Sequence, residues 1–294
     1  MSDTPAYAAW RAEKLANYPR SVAEIRVAVG DLSHPSPDEQ ARIRRNCQRA
    51  GVALYRSYRD VPAGSHAVGS ERRAVQQFAS AFALGGIEAH RSADTDGIVA
   101  IEVSAEPGRR NFVPYSTRAL NWHTDGYYNQ PHEPIRTMLL HCVRPAASGG
   151  ENALLDPEIV YLRLRDTNPA LVAALMHPAA MTIPESVEED ATVRPISTGP
   201  VFLFDDTATR LTMRYTARTR SIHWRDDADT KAAVALLHHL LVEEQEPLIL
   251  RHRLEAGEGL LTNNVLHTRS AFAEDPHAGR LMLRARYHEA IAWP

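Results

Sequence analysis

The second half of the chain is cut into short apolar runs, and this limits its fold more than any other feature. IRTMLLHCV, ENALL, PVFLF, LTMRY, PLILRH, GLLTNNVLH and RLMLRARYH are each of strand length and are separated by polar or turn-forming residues. Their irregular spacing, with helical stretches before and between them, predicts a β-sandwich or jelly roll carrying helical insertions. A doubly wound parallel sheet is disfavoured, because no strand runs into a glycine-rich turn that opens a helix.

The first part reads differently. Ser36-Pro37 supplies an N-cap and a first-turn proline for DEQARIRRNCQRA, which runs to a stop signal at Gly51. VALYRSY (52–58) follows as a strand, and Ser70 is placed to cap ERRAVQQFASAFAL up to Gly85-Gly86. Further helices are expected from about Asp156 to His177 and from Asp226 to Gln245. The second of these opens on acidic DDADTK, as a helix N-terminus prefers. No repeat or Pro/Gly/Ser-rich linker divides the sequence. The expected organisation is therefore a single domain over 1–294, mainly β with α insertions: mostly helical over 1–95, with a jelly-roll core over 96–294.

Composition narrows function by exclusion. Hydrophobic residues make up 44% and charged residues 23% of the 294, as in an ordinary soluble protein. With 33 basic and 36 acidic residues the formal charge is −3, so no basic field draws the whole chain onto nucleic acid. No apolar run is long enough to span a bilayer. The opening MSDTPAYAAWRAEKLANYPR is charged throughout and lacks the apolar core of a signal peptide. These features predict a cytoplasmic protein with no nucleic-acid or membrane partner, with homo-oligomerisation left open. Cys47 and Cys142 read as buried small hydrophobes in a reducing compartment, with a disulfide as the alternative.

Histidine is abundant, at 14 residues, so a metal site has to be filtered from the background. His123-Thr124-Asp125 is the only H-x-[D/E] triplet. On an extended segment, positions i and i+2 share a face, so His123 and Asp125 can reach one ion. A solvated surface triplet would look the same. His267, ending GEGLLTNNVLH, can add a second imidazole, although a lone histidine there also fits a satisfied core residue. Two imidazoles and one carboxylate leave three octahedral positions open, the arrangement of oxygen-activating non-haem iron(II). A closed thiolate site for structural zinc is not available. Further on, Arg280, Met282, Arg284 and Arg286 would share one face of a strand. An inward arginine among Leu and Met is costly unless it meets an anion, and its planar fork suits a carboxylate. The alternative is a solvated cationic face.

NWHTDGYY (121–128), SGGENALLD (148–156), NNVLHTRSAF (263–272) and RLMLRARYH (280–288), in this order and spacing, resemble the taurine dioxygenase and clavaminate synthase-like family of iron(II)/2-oxoglutarate-dependent oxygenases. The resemblance implies a double-stranded β-helix (jelly roll) with Fe(II) held by His123, Asp125 and His267. It implies 2-oxoglutarate as co-substrate, its far carboxylate on Arg280, and O2 as oxidant. Arg284 falls where several members contact substrate or co-substrate. Asn152 stands where many members have a threonine that reaches 2-oxoglutarate, and an amide can still donate there. Asn121, Tyr127 and Tyr128 flank the metal pair and could line the substrate pocket, or simply pack.

The implied reaction is hydroxylation of a small anionic or amino-acid-like molecule with release of succinate and CO2. Related halogenases carry a small residue where this chain has Asp125, so hydroxylation is favoured, with desaturation or ring closure as variants. Two other readings stay open: a jelly-roll metal-binding protein without turnover, and a zinc hydrolase that would not need Arg280. Arg218 and Arg220 in YTARTRSIHW read as solvated charges, and His238-His239 as structural.

Overall fold

A computed structural model describes residues 4–58, 65–89, 92–106, 109, 112–188, 191–205, 210–243 and 246–291. Two facing β-sheets form the frame. The larger is built from β1 (Arg26–Val29), β2 (Val52–Ser57), β3 (Val99–Ile101), β5 (Thr137–Arg144), β8 (Glu258–Thr262) and β10 (Leu281–Tyr287), in the order β1-β2-β8-β5-β10-β3. The smaller contains β4 (Leu120–His123), β6 (Asn152–Leu155), β7 (Leu250–His252) and β9 (Leu266–Arg269), in the order β7-β6-β9-β4. Apart from the parallel β1–β2 pair, every pairing in these two sheets is antiparallel. This is the jelly-roll core that the spacing of the apolar runs predicts.

Strand alternation divides the larger sheet's side chains between two cores. Val52, Leu54, Met138, Leu140, Leu260 and Met282 face the interior between the sheets. Ala53, Tyr55, Leu139, Leu261, Leu283 and Ala285 face the other way. There they meet α2 (Pro37–Ala50) and α3 (Ser65–Ser80) through Ile43, Cys47, Val75 and Phe78. The buried exception on that face is His141, whose ring nitrogens lie 3.0 Å from the Tyr55 hydroxyl and 3.0 Å from Glu71. Both cysteines are buried and free, as small hydrophobes.

The helix predicted from Ser36 has a capping box: Ser36 and Glu39 each accept from the other's backbone N–H. It stops at Gly51, which adopts φ 72°, and a Cβ there would lie 2.5 Å from Val265. Position 51 therefore tolerates no side chain, and this lets α2 end directly against the strand that carries His267.

Three expectations need correction. Ser70 does not cap a helix, because α3 already begins at Ser65 and ends at Ser80, before Gly85. The helix expected over 156–177 is two helices, α4 (Pro157–Thr167) and α5 (Pro169–Leu175). Pro169 has no N–H to donate and keeps Asn168 extended, so Asn168 ends one helix and caps the next, accepting from Ala170 at 3.0 Å. The helix expected to reach Gln245 is α6 (Ala228–His238) followed by a π-turn over His239–Glu243, and Gln245 lies outside the described residues. The mostly helical N-terminal part also contains β1 and β2, which form one edge of the larger sheet.

The first helix, α1 (Pro5–Asn17), is tied down by charge. Lys14 reaches Asp156, the N-cap of α4, at 2.7 Å, and Arg210 reaches the same carboxylate at 3.0 Å. Asp156 is fully buried. No helix among the described residues is long and apolar enough to cross a membrane.

Candidate metal centre and carboxylate pocket

Antiparallel pairing of β4 with β9 sets His123 directly opposite His267, with ring centroids 4.2 Å apart. The chain then turns, and Asp125 completes a group whose ligand atoms all lie within 4.8 Å of one another. The turn is fixed from several sides. Thr124 exchanges hydrogen bonds with the Tyr215 backbone, its N–H donating at 3.0 Å and its hydroxyl accepting at 3.1 Å. Gly126 has φ 67°, and a Cβ there would lie 2.5 Å from Ile135. Asn264, itself left-handed at φ 54°, clamps the backbone of Asp125. Its Oδ1 accepts from the Asp125 N–H at 2.8 Å, and its Nδ2 donates to the carbonyls of Asp125 at 2.9 Å and Ile135 at 2.7 Å.

The imidazoles are prepared as neutral donors. His123 Nδ1 lies 2.8 Å from the Asn121 carbonyl and His267 Nδ1 lies 2.9 Å from the Val265 carbonyl. A carbonyl only accepts, so each Nδ1 carries the hydrogen and each Nε2 keeps its lone pair. Burial, and then the neighbouring His267, hold His123 down to about 3, and burial lowers His267 too. Burial alone would raise the Asp125 carboxyl, but Arg284 and then Arg286 outweigh it and hold the group ionised. Its Oδ1 accepts from Arg284 at 3.2 Å and from Arg286 at 3.5 Å. Its Oδ2 is buried with no hydrogen-bond partner among the described residues. An unsatisfied buried carboxylate oxygen facing two neutral imidazoles is expensive unless a cation completes the group. Two N donors and one O donor, with no thiolate, suit iron(II) with open positions.

A second pocket lies beside Gly149-Gly150, lined also by Asn152, Arg253, Arg280 and Met282. Gly149 has φ 69° and Gly150 φ 73°, and a Cβ on Gly149 would lie 2.3 Å from the Ala271 carbonyl oxygen. The turn can therefore only be made by glycine. Arg280 is buried just ahead of β10, with its guanidinium carbon 5.1 Å from the centre of the Phe272 ring. Glu274 accepts from its backbone N–H at 3.1 Å, yet among the described residues no carboxylate pairs with the guanidinium itself. Burial pushes its pKa down, the mark of a cation without its counter-ion. Asn152 lines the same pocket, its amide 3.4 Å from the His252 carbonyl.

Other sequence candidates fall into place unevenly. Tyr127 is half-buried, with its ring edge-on to His123 at 6.3 Å. Asn121 is exposed, and what it gives His123 is its backbone carbonyl. Arg284 faces the metal group as expected, but its partner is Asp125, leaving Nε unsatisfied. Arg253, whose Nε also lacks a hydrogen-bond partner among the described residues, just follows PLILRH, and nothing there marks it rather than Arg251 as inward. Nor was Asn264 singled out, although an asparagine at a strand–strand turn is a residue that tolerates φ > 0. Arg286, held by Glu88 and by the Tyr128 hydroxyl at 3.0 Å, backs the same carboxylate.

A jelly roll holding a two-histidine, one-carboxylate group beside an unpaired arginine defines the class of iron(II)/2-oxoglutarate oxygenases. Within that class the family is particular: the model of the taurine catabolism dioxygenase TauD, TfdA family matches residues 13–286, and the chain belongs to that family. It is similar to the uridine-5'-phosphate dioxygenase of Amycolatopsis sp, with 32% identity over 197 residues, 64% of this chain and 68% of that protein. Among solved structures it is similar to the non-heme iron oxygenase OrfP in complex with (3S)-hydroxy-L-Arg. There the TM-score is 0.62 at 16% identity, covering 97% of this chain and 92% of that one. It is also similar to asparagine oxygenase in complex with Fe(II), 2S,3S-3-hydroxyasparagine and succinate. That match has a TM-score of 0.57 at 15% identity and covers 90% of this chain and 93% of the other. The protein is thus a 2-oxoglutarate-dependent dioxygenase that uses Fe(II), 2-oxoglutarate and O2. The readings without turnover, or with zinc hydrolysis, fall away.

Proposed function

We propose that the enzyme hydroxylates a small anionic molecule, with His123, Asp125 and His267 as the iron ligands and Arg280 as the anchor of 2-oxoglutarate. One observation carries this: the buried Asp125 Oδ2 stands unpartnered opposite two imidazoles whose Nδ1 atoms are already engaged. Iron(II) held there would activate O2, one oxygen atom going into the succinate formed from 2-oxoglutarate with loss of CO2 and the other into the substrate C–H bond. The chain's own contribution is positional. Asn264 and Gly126 hold Asp125 in register, and the Asn121 and Val265 carbonyls fix the tautomers of His123 and His267. Arg280, with Arg253 and Asn152 beside it, neutralises the far carboxylate of 2-oxoglutarate in a pocket shielded by Phe272.

On the substrate side, Tyr127, Asn121 and Arg284 line the approach to the metal. A nucleoside monophosphate is the candidate that the relative from Amycolatopsis supplies, and the arginine-rich surroundings of the site suit such an anion. The test is succinate formation from 2-oxoglutarate with uridine-5'-phosphate and other small anions. It should depend strictly on Fe(II), rise with substrate, and vanish in His123→Ala, Asp125→Ala and His267→Ala. Full turnover in all three variants would place the site elsewhere.

A further inference from the structure

Tyr127 and Tyr128 stack edge to face, with centroids 5.1 Å apart, and each has a further arginine near its ring. The Arg218 guanidinium lies 5.7 Å from the centre of the Tyr127 ring, and Arg194 lies 5.6 Å from that of Tyr128. The two tyrosines also neighbour the metal-ligand cluster, Tyr127 edge-on to His123 at 6.3 Å and Tyr128 through its hydroxyl, which accepts from Arg286 at 3.0 Å. Neither outer arginine is neutralised. Arg194 donates to the Pro184 carbonyl at 2.8 Å, and among the described residues no carboxylate pairs with Arg194 or Arg218.

A third arginine deepens the imbalance. Buried Arg214 is held by the Met181 carbonyl at 3.1 Å and by the Ser197 carbonyl and hydroxyl at 2.9 Å, again with no acid. Burial, and then the nearby Arg194, push Arg214 down to about 10. Burial, followed by the charge of Arg218, likewise lowers Arg194. Like charges gathered without counter-ions on one wall of a site are destabilising unless a ligand supplies the missing anion. The Tyr128 and Tyr127 rings lie beside the Arg194 and Arg218 guanidinium groups; Arg194 also donates to the Pro195 carbonyl at 3.5 Å, while no hydrogen bond from Arg218 occurs among the described residues.

We propose that Arg194 and Arg218, set on the Tyr128 and Tyr127 rings, form a clamp for a phosphate dianion on the substrate. This rests on the reading of the substrate as anionic and gives that reading its recognition residues. Arg218 is then a specificity residue rather than a solvated charge. A dianion held there is one aromatic ring away from His123, so the carbon presented to the metal lies close to the anionic group.

The experiment is calorimetric titration of the full-length protein with inorganic phosphate, with uridine-5'-phosphate and with uridine. Wild type is compared with Arg218→Gln and with Arg194→Gln/Arg218→Gln. Wild type should bind phosphate and prefer uridine-5'-phosphate over uridine by at least about tenfold, or ~1.4 kcal/mol. Arg218→Gln should weaken phosphate binding about tenfold, and the double variant should abolish it. Because Arg218 is exposed and donates no hydrogen bond to the fold, the single variant reports on the clamp even if the double variant unfolds. Wild type that binds neither phosphate nor uridine-5'-phosphate overturns the proposal, as do variants that bind like wild type. Phosphate binding lost in the variants, without oxidation of uridine-5'-phosphate, would keep the clamp and discard the nucleotide substrate.

Discussion

Asp125 is approached by two cations, Arg284 at 3.2 Å and Arg286 at 3.5 Å, yet only its Oδ1 is engaged. The arginines keep the carboxylate ionised and turn it so that Oδ2 is left for the metal. Under the proposed assignment Arg284 both orients a metal ligand and offers the substrate its Nε, which has no hydrogen-bond partner among the described residues. Arg284→Ala should raise the substrate KM about tenfold, ~1.4 kcal/mol, while the 2-oxoglutarate KM stays nearly unchanged. Steady-state kinetics in both substrates checks this, and a rise confined to 2-oxoglutarate would reassign the residue. His123 and Asp125 stood out by their H-x-D spacing and His267 by its place at the end of an apolar run, and the fold brings the three together; the co-substrate role of Arg280 comes from the family resemblance and is a proposal. The Arg284–Asp125 contact was not legible, since it joins a strand to a turn far away in sequence. Arg194 was equally hidden, because only the folded chain sets it on a tyrosine beside the metal centre.

At the level of elements, local signals were reliable where the chain supplies its own caps. Ser36, Pro37 and Gly51 delimited α2, and short apolar runs marked β5 and β10. The signals failed where one residue does two jobs, as at Asn168, or where a strand is as short as β1. The join between α1 and α4 depends on buried charge that no periodicity reveals. Burial opposes ionisation of Asp156, but Lys14 and Arg210 prevail and lower its pKa. A lowered carboxyl pKa gives stability that is fully present above the unfolded value of about 3.9 and is lost as pH falls below it. Asp156→Ala removes the α4 cap, leaves buried Arg210 without its carboxylate and leaves Lys14 with Glu158 alone, which should cost about 3–5 kcal/mol at neutral pH. Urea unfolding at pH 7 and pH 3 checks both statements: the variant's deficit should shrink in acid. An equal deficit at the two pH values would show that the pairing contributes nothing.

For the whole molecule, the two sheets divide the work. The smaller sheet and the turn after it bring together His123, Asp125 and His267, while β10 of the larger sheet carries Arg284 and Arg286 and is preceded by Arg280. Under the proposed assignment the two sheets share the site, the smaller contributing the metal ligands and the larger the arginines. The claim that this arrangement binds iron and 2-oxoglutarate together is tested most directly by anaerobic titration. Fe(II)-loaded protein is titrated with 2-oxoglutarate, and the visible metal-to-ligand charge-transfer absorbance is followed in wild type and Arg280→Ala. Wild type should develop the band to saturation. Loss of a buried arginine–carboxylate pair costs about 3–5 kcal/mol, so the variant should need roughly two to three orders of magnitude more 2-oxoglutarate. Absence of the band in wild type, or the same half-saturation in Arg280→Ala, would contradict the account.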